Sequence, residues 1–421
     1  MAAAGRQLHR RHGDDREMGM GGGGRLLCPA QRHGLGGFRS LAQPGRTRAI
    51  RRRGPGGTRR IPGACELDGQ RDHRAGGQQA GDGGVRRGAA FLVAATYPHG
   101  APAGHLSAYA DFPTSDRCLV LGAGGFIGTN LCLALRARGV PVTGFGRSAR
   151  PAVLDDIDWV RGSLDATPWD RRLERLVGGH AHVFDLIGAG LPNSSNDNPA
   201  QIVADAVPAK VRLLEACRVA GVRRYLFASS GGTVYGVTGT QPVAEDTPTE
   251  PISAYGIGKL VVEKYLSLYR HLYGLESRTL RIANAYGPFQ ESRNGQGLVA
   301  ALLRRLLADQ PVEIWGDGRI VRDYIHIDDV VDAMLACLVH EGPGRVFNVG
   351  SGTGRSVAEV IADAARVTGR SPRLIRREPR GADVPVNILD SSRLMREAQW
   401  APRTSWEAGL ASTAEWIARS G

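Results

Sequence analysis

The chain has 421 residues and a formal net charge of +13, and this length accommodates two or three domains. The charge is uneven, because residues 1–110 hold 18 Arg, no Lys and 7 acidic residues, whereas residues 111–421 carry a net charge of only +2. The basic composition therefore describes the first segment, and it gives no argument for nucleic-acid binding by the rest of the chain.

Residues 1–110 are rich in Gly and Arg and contain 24 of the 58 glycines of the chain. No helical or strand period persists there, so the segment buries too little apolar surface to offset its ordering entropy, and we expect it to be disordered. Two interpretations stay open: an Arg/Gly-rich arm that binds RNA or acidic surfaces, or a non-native extension from an early start codon. The all-Arg, no-Lys bias favours the second.

The spacing of the cysteines and the lengths of the apolar runs indicate the cellular compartment. The six cysteines form no C-x-x-C pair; they are Cys28, Cys65, Cys118, Cys132, Cys217 and Cys337. This usage indicates reduced thiols in a cytoplasmic protein, and neither a disulfide framework nor a metal site is expected. No apolar run reaches about 18 residues, so no membrane span is predicted, and the N-terminus lacks the apolar core of a signal peptide.

From Asp116 onward, short apolar runs alternate with helical patterns. The predicted strands cover 117–121, 140–145, 158–161, 182–187, 225–228 and 278–282, and the longest predicted helices cover 199–220 and 253–273. This alternation predicts an α/β fold with a doubly wound parallel sheet.

A glycine-rich turn follows the first predicted strand directly. Gly122, Gly125 and Gly128 form a G-x-x-G-x-x-G pattern that also contains Phe126 and Ile127. Between a strand and a helix, such a turn lets the backbone approach a pyrophosphate at the helix N-terminus. We therefore predict dinucleotide binding here, and a purely structural βα turn is the alternative.

The end of the second predicted strand bears on the choice of cofactor. An acid that would hold the ribose 2′-hydroxyl is expected about 20 residues after the glycines. That place holds Gly146, followed by Arg147. An arginine there accommodates a 2′-phosphate, so NADP is at least as well supported as NAD, unless Arg147 simply faces solvent.

Tyr255 and Lys259 are four residues apart in a predicted helix, which places both side chains on one face. An ammonium close to a phenol favours the phenolate and lowers the tyrosine pKa, which suits a general base. The spacing alone is equally typical of an exposed helix turn.

Further motifs extend this pattern along the chain. They are Ser229-Ser230-Gly231-Gly232-Thr233-Val234-Tyr235-Gly236, Arg281-Ile282-Ala283-Asn284-Ala285-Tyr286-Gly287-Pro288, Trp315-Gly316-Asp317-Gly318 and Val321-Arg322-Asp323-Tyr324-Ile325-His326-Ile327-Asp328-Asp329. Together with the glycine-rich turn and the Tyr255–Lys259 pair, they resemble the extended short-chain dehydrogenase/reductase family of NAD-dependent epimerase/dehydratase type. The resemblance covers residues 116 to 418 and is closest to UDP-glucose 4-epimerase-like proteins.

The resemblance implies a Rossmann-type doubly wound sheet in residues 116–286 and a smaller substrate-binding lobe in residues 287–418, with segments that return to the first domain. It also implies a homodimer formed through the two long helices, and an intramolecular core role for their apolar stripes is the alternative. It assigns the base to Tyr255, the nicotinamide ribose contact to Lys259, and substrate diphosphate contacts to Asn284, Arg322 and Arg380. Surface ion pairs of the two arginines with Asp323 and Asp383 are the alternative.

The chain departs from the family pattern at several positions. The hydroxyl residue usual before Val-Tyr-Gly is replaced by Gly231, so Ser230 or Thr233 is expected to supply this catalytic hydroxyl. Gly232-Thr233 replaces the Asp-Glu pair of dehydratases, which argues against elimination of water. Ala206 replaces a common asparagine. Asp185 replaces a common histidine, either as a charge buried near the cofactor or as a solvent-facing side chain.

These observations predict a nucleotide-sugar epimerase that acts at C4 of a UDP-hexose through a transient 4-keto sugar, with bound NAD or NADP. An NADP-linked keto-sugar reductase and a dinucleotide-binding protein without catalytic activity are the alternatives.

Overall fold

A computed structural model describes residues 114–164, 170–188, 195–291, 297–378 and 384–420. The expected disorder of residues 1–110 therefore lies outside the described residues, as do Arg380, Asp383 and the side chain of Ala206.

The secondary structure alternates between strands and helices along the chain. The strands are β1 (Cys118–Leu121), β2 (Val142–Gly146), β3 (Asp158–Arg161), β4 (His182–Asp185), β5 (Arg224–Ser230), β6 (Ser277–Ile282), β7 (Asn284–Tyr286), β8 (Val312–Trp315), β9 (Val321–His326), β10 (Val346–Val349), β11 (Gly354–Ser356), β12 (Leu374–Arg377) and β13 (Val386–Asn387). The helices are α1 (Phe126–Ala137), α2 (Asp170–Val177), α3 (Pro199–Val219), α4 (Ala254–Tyr273), α5 (Leu298–Leu307), α6 (Ile327–Val339), α7 (Val357–Thr368), α8 (Ser392–Ala398) and α9 (Trp406–Ser420).

Seven of the described strands form one parallel sheet in the order β10-β6-β5-β4-β1-β2-β3. Helices α1 and α6 pack on one face, and α2, α3 and α4 pack on the other. Because both faces are covered, a central strand such as β1 is a continuous apolar run, and all four of its residues are buried. The predicted doubly wound α/β fold is confirmed.

The strand order reverses between β1 and β4, since the chain builds β2 and β3 on one side and β4 to β6 on the other. In such sheets the crevice beyond the carboxyl ends of the strands at the reversal is the usual ligand site. The glycine-rich turn follows β1, and the Asp185 end of β4 adjoins it, so both lie at this crevice.

Two smaller sheets accompany the large one in the described residues. Strand β9 pairs with β7, β11 and β13, and β8 pairs with β12. Helices α5, α7 and α9 cover these strands and share an apolar core that includes Leu303, Val360 and Trp406.

Two further expectations concern thiols and membranes. Cys118, Cys132, Cys217 and Cys337 are free and buried, and burial raises the pKa of each thiol. Cys28 and Cys65 lie outside the described residues. Within the described ranges, no helix is long and apolar enough to cross a membrane.

Candidate functional site

The turn between β1 and α1 excludes side chains at its glycines. Gly122 has a φ of +82°, a conformation that favours glycine. A Cβ on Gly128 would overlap the Gly122 carbonyl oxygen and lie 2.7 Å from Ala123 Cα. Helix α1 begins at Phe126 with Gly125 as its N-cap, without a side-chain cap or an acidic residue in its first turn. A helix N-terminus of this kind, set behind a bare backbone turn, fits the pyrophosphate of a dinucleotide.

The carboxyl ends of β2 and β3 hold an indole and two cations. A Cβ on Gly146 would lie 3.1 Å from the Trp159 ring, and one on Gly144 would lie 2.7 Å from it. The exposed Arg161 donates from Nε to the Arg147 carbonyl oxygen at 3.0 Å. Trp159 was not predicted as a site residue, and its buried Nε1 has no hydrogen-bond partner in the described structure. The side-chain space of the usual acid is thus occupied by Trp159.

The segment after β4 joins the glycine-rich turn to Tyr255. A Cβ on Gly122 would lie 3.3 Å from the Leu186 carbonyl carbon, and one on Gly188 would lie 3.8 Å from the Tyr255 ring. Residues 186–188 therefore lie between the glycine-rich turn and the ring of Tyr255.

Helix α4 is held at its first turn by residues far away in sequence. Ser253 caps it by accepting from Gly256 N at 3.1 Å. Ser195 Oγ accepts from Tyr255 N at 3.1 Å, and Asn196 Oδ1 accepts from Ala254 N at 2.9 Å. Neither Ser195 nor Asn196 was predicted as a site residue, although their side chains fix the position of the tyrosine.

Lys259 lies beneath Tyr255 and is directed into the protein. Its ammonium donates to the Ala228 carbonyl oxygen at 2.6 Å. The nitrogen lies 5.7 Å from the centroid of the Tyr255 ring and 4.8 Å from that of Phe227. Lys259 is buried, so the spacing of four residues here does not mark an exposed helix turn.

The expected fall in the Tyr255 pKa is wrong for the described structure. Burial raises the pKa of Tyr255 to about 12. Burial also lowers the pKa of Lys259 to about 8, and the nearby carboxylates of Asp185 and Glu263 oppose this effect. The physical reason is the desolvation of the phenol, and in the described structure the Lys259 ammonium donates to the Ala228 carbonyl oxygen.

The position of the expected hydroxyl is closed at residue 231. A Cβ on Gly231 would overlap the Leu389 side chain and lie 3.0 Å from the Arg281 carbonyl oxygen. Asn387 donates to the Gly231 carbonyl oxygen at 3.2 Å. These two contacts from the C-terminal part of the chain were not predicted, since no local sequence pattern links positions 156 residues apart.

Both candidate replacements for that hydroxyl lie in the segment that leaves β5. Ser230 is its last strand residue and is partly buried. Thr233 is partly buried, its backbone oxygen lies beside Gly256, and its Oγ1 is buried without a hydrogen-bond partner in the described residues. A buried hydroxyl with its hydrogen-bonding capacity unused is suited to a substrate contact.

Buried charges line the sheet below Tyr255. Glu263 and Arg281 form an ion pair at 2.7 Å, and Ser229 Oγ donates to Glu263 at 2.5 Å. Arg281 also donates to the Tyr235 hydroxyl at 2.9 Å. Asp185 is fully buried, so it does not face solvent.

The proposed diphosphate contacts lie on the sheet around β9. Asn284 on β7 is paired in register with Tyr324 and donates to the Asp323 carbonyl oxygen at 3.2 Å. Arg322 donates to the Val384 carbonyl oxygen at 2.5 Å. The structure thus places Asn284 and Arg322 on adjacent strands, while Arg380 lies outside the described residues.

Three comparisons identify similar proteins. The profile described as "NAD dependent epimerase/dehydratase family" matches residues 118–350. A UDP-glucose 4-epimerase of Mycolicibacterium smegmatis is 36% identical over 312 residues, which cover 72% of this chain and 98% of that protein. The crystal structure of the Thermotoga maritima UDP-glucose 4-epimerase with UDP-glucose has a TM-score of 0.69 and 32% identity, over 72% of this chain and 99% of that one. The complex of the Thermus thermophilus UDP-glucose 4-epimerase with NAD has a TM-score of 0.67 and 30% identity, over 72% of this chain and 100% of that one.

Proposed function

Because the chain belongs to the NAD-dependent epimerase/dehydratase family, we propose that it is a nucleotide-sugar epimerase that inverts C4 of a UDP-hexose. The observation that carries this proposal is that residues 186–188 connect the glycine-rich turn to Tyr255, with the Lys259 ammonium buried 5.7 Å from the centroid of the tyrosine ring. The similarity to UDP-glucose 4-epimerases over nearly their whole length supports the same reaction class.

Tyr255 is the proton acceptor and donor in this proposal. Its oxygen takes the proton of the sugar 4-hydroxyl as C4 becomes a ketone, and returns it once the keto sugar has turned over. Bound NAD or NADP supplies the hydride acceptor and then the hydride donor. The Lys259 ammonium stabilises the developing phenolate, and this charge matters most in a site from which water is excluded.

Ser230 and Thr233 are the proposed partners of the reacting hydroxyl. Thr233 is a candidate because its buried Oγ1 has no hydrogen-bond partner in the described residues. Ser230 is a candidate because it is the last residue of β5. Gly232 and Thr233 provide no acid/base pair of the kind that eliminates water, so the keto sugar returns to a hexose.

We assign the substrate diphosphate to Asn284, Arg322 and Arg380. A guanidinium forms two parallel hydrogen bonds to a phosphate, which is why arginine suits this task.

We propose two domains that correspond to these two ligands. Residues 116–286 bind the dinucleotide, and residues 287–418 mainly bind the substrate.

The cofactor is of the NAD(P) type, and we propose that the chain accepts NADP at least as well as NAD. Gly146 provides no carboxylate that would repel a 2′-phosphate, and the exposed Arg147 and Arg161 provide positive charge beside it. Mass spectrometry of the cofactor released from the purified protein tests this choice. Release of NAD alone contradicts it.

We also propose a homodimer through α3 and α4. Their surfaces carry exposed apolar side chains, namely Val219, Leu268, Leu272 and Tyr273, and such a cluster favours a protein contact. Analytical ultracentrifugation tests this proposal, and a monomer at micromolar concentration contradicts it.

The activity assay separates three functions. We expect interconversion of UDP-glucose and UDP-galactose, or of their N-acetyl forms, without net consumption of cofactor. Stoichiometric oxidation of NADPH with a keto sugar would identify a reductase instead. Cofactor binding without hydride exchange with any nucleotide sugar would identify a protein that has lost catalysis.

A further inference from the structure

A buried carboxylate lies at the end of β4, one strand away from the carbonyl that holds Lys259. Asp185 is fully buried and accepts hydrogen bonds from the Tyr225 hydroxyl at 2.6 Å and from Ile187 N at 3.2 Å. It also forms an ion pair with the buried Lys210 of α3. A buried charge of this kind persists only when it is paired and hydrogen-bonded, and Asp185 meets both conditions.

The register of the sheet brings this carboxylate close to Lys259. Asp185 is paired with Phe227 across β4 and β5. The Lys259 ammonium lies 4.8 Å from the Phe227 ring and donates to the carbonyl of the next residue, Ala228. The Asp185 carboxylate therefore faces two buried ammoniums: Lys210, which it contacts, and Lys259, which it influences through space.

The other ionisable groups around Lys259 are fixed by their own partners. Glu263 of α4 is paired with Arg281 of β6 and bonded to Ser229. Tyr255 of α4 lies next to the Lys259 ammonium, whereas Tyr225 of β5 and Cys217 of α3 lie beside Asp185, and burial raises the pKa of each of these three groups. Asp185 is therefore the carboxylate whose charge is shared between two lysines.

We propose that Asp185 is a positioning residue, which keeps the Lys259 ammonium charged in the closed site, and that Lys210 limits how strongly it does so. This proposal rests on the proposed function, because a charged Lys259 is what the reaction requires beside Tyr255. The carboxylate itself acts only through Lys259 and does not touch the substrate.

The arrangement predicts effects of opposite sign. Asp185→Asn removes the negative charge and leaves the Lys210 cation, so the pKa of Lys259 falls. Lys210→Met removes the competing cation and frees the carboxylate, so the pKa of Lys259 rises. General loss of packing cannot produce opposite shifts from two residues in contact, which separates this role from a merely structural one.

The chain offers an unusually clean readout, because it contains only three lysines: Lys210, Lys259 and Lys264. Lys264 is exposed. Protein with lysine labelled at Cε with carbon-13 therefore gives three side-chain NMR signals. Lys264→Arg, a conservative change at an exposed position outside the proposed machinery, assigns the exposed one, and Lys210→Met assigns the second.

The experiment follows the Lys259 signal of the full chain, as purified, between pH 6 and 11. We expect the midpoint of its titration to fall by about one pH unit in Asp185→Asn and to rise by about one pH unit in Lys210→Met, which is the size of shift that charges a few ångströms apart produce. We expect it to lie near the wild-type value in the double variant. An unchanged midpoint, or shifts in the same direction, would overturn the proposal.

Two provisions keep the result decisive. If Asp185→Asn does not fold, Lys210→Met decides alone, because only an upward shift agrees with the proposal. The midpoint is read without substrate, so it is independent of the epimerase assay. Opposite shifts in an inactive protein would leave this inference standing and remove the proposed function, whereas activity without the shifts would do the reverse.

Discussion

The carboxyl end of β4 and the carboxyl ends of β2 and β3 lie on opposite sides of β1 in the sheet, and they are stabilised by different kinds of contact. Beside Tyr255, the sheet contains buried ions in matched pairs, Asp185 with Lys210 and Glu263 with Arg281. Beside Gly146, it contains an indole packed on glycines and two exposed arginines.

This contrast indicates what each end can tolerate. The proposed catalytic end, beside Tyr255, is held together by buried charges, so the loss of one partner leaves an uncompensated ion. The other end is shaped by sterics and solvated charge, so substitutions there change which ligand fits more than whether the protein folds.

The largest effect is expected from Tyr255→Phe at the catalytic end. Removal of the phenolic oxygen removes the proton acceptor, and we expect kcat to fall about 10²- to 10⁴-fold. Cofactor affinity, measured by fluorescence titration, should stay close to the wild-type value because the ring remains. Full activity in this variant would exclude Tyr255 as the base.

The next largest effect is expected from Arg281→Met. This change leaves Glu263 buried without its cation and should lower the free energy of unfolding by about 3–5 kcal/mol, measured in urea. The double variant Arg281→Met with Glu263→Met is the control, and it should recover most of the loss. Equal stability of the single variant and wild type would contradict the role of the pair.

A pH effect of intermediate size is expected from Lys259. Its pKa of about 8 in the folded chain lies below its ordinary 10.5, so between these values the unfolded chain holds a proton that the folded chain lacks. Stability due to this group therefore rises with pH across that window, by about 1.4 kcal/mol for each unit of pKa difference. The free energy of unfolding of wild type and of Lys259→Met, measured in urea at pH 7 and pH 10, should show this gain only in wild type. A difference between the two proteins that does not change with pH would contradict it.

The smallest effect is expected on the other side of β1, from Gly146→Asp. The new side chain meets the Trp159 ring, so we expect both cofactors to bind about tenfold more weakly, a loss of about 1.4 kcal/mol. Gly146→Asp with Trp159→Ala should restore NAD binding and not NADP binding, measured by calorimetry. Unchanged binding of NADP to the single variant would show that the cofactor does not pass this position.

The sequence allowed the fold to be predicted in detail because local patterns encode it. The alternation of apolar runs and helical patterns predicted six strands of the large sheet to within a few residues, and the glycines marked the turn after β1. Strand β10 was not predicted, since Val346–Val349 is a short apolar run after a long helix, and only its pairing with β6 places it in the sheet.

The site was only partly predictable, because its remaining parts depend on contacts across the sheet. The position of Asp185 in the sequence left both burial and exposure open, and only the pairing with Lys210 decides between them. Nothing in the sequence distinguishes Trp159 from other apolar residues, and only the structure shows that its ring packs on the glycines of β2. The spacing of Tyr255 and Lys259 predicted that both side chains lie on one face of α4, but it showed neither that Lys259 is buried nor that its ammonium donates to Ala228.

The cover over Gly231 has a consequence for the order of events during synthesis. Asn387 and Leu389 complete the loop after β5, yet they leave the ribosome more than 150 residues later. At translation rates of about 5–20 residues per second, this delay is roughly 8–30 seconds. The loop after β5 therefore gains its cover at Gly231 only after the six strands β1 to β6 have been synthesised, so this part of the proposed site is among the last to be completed.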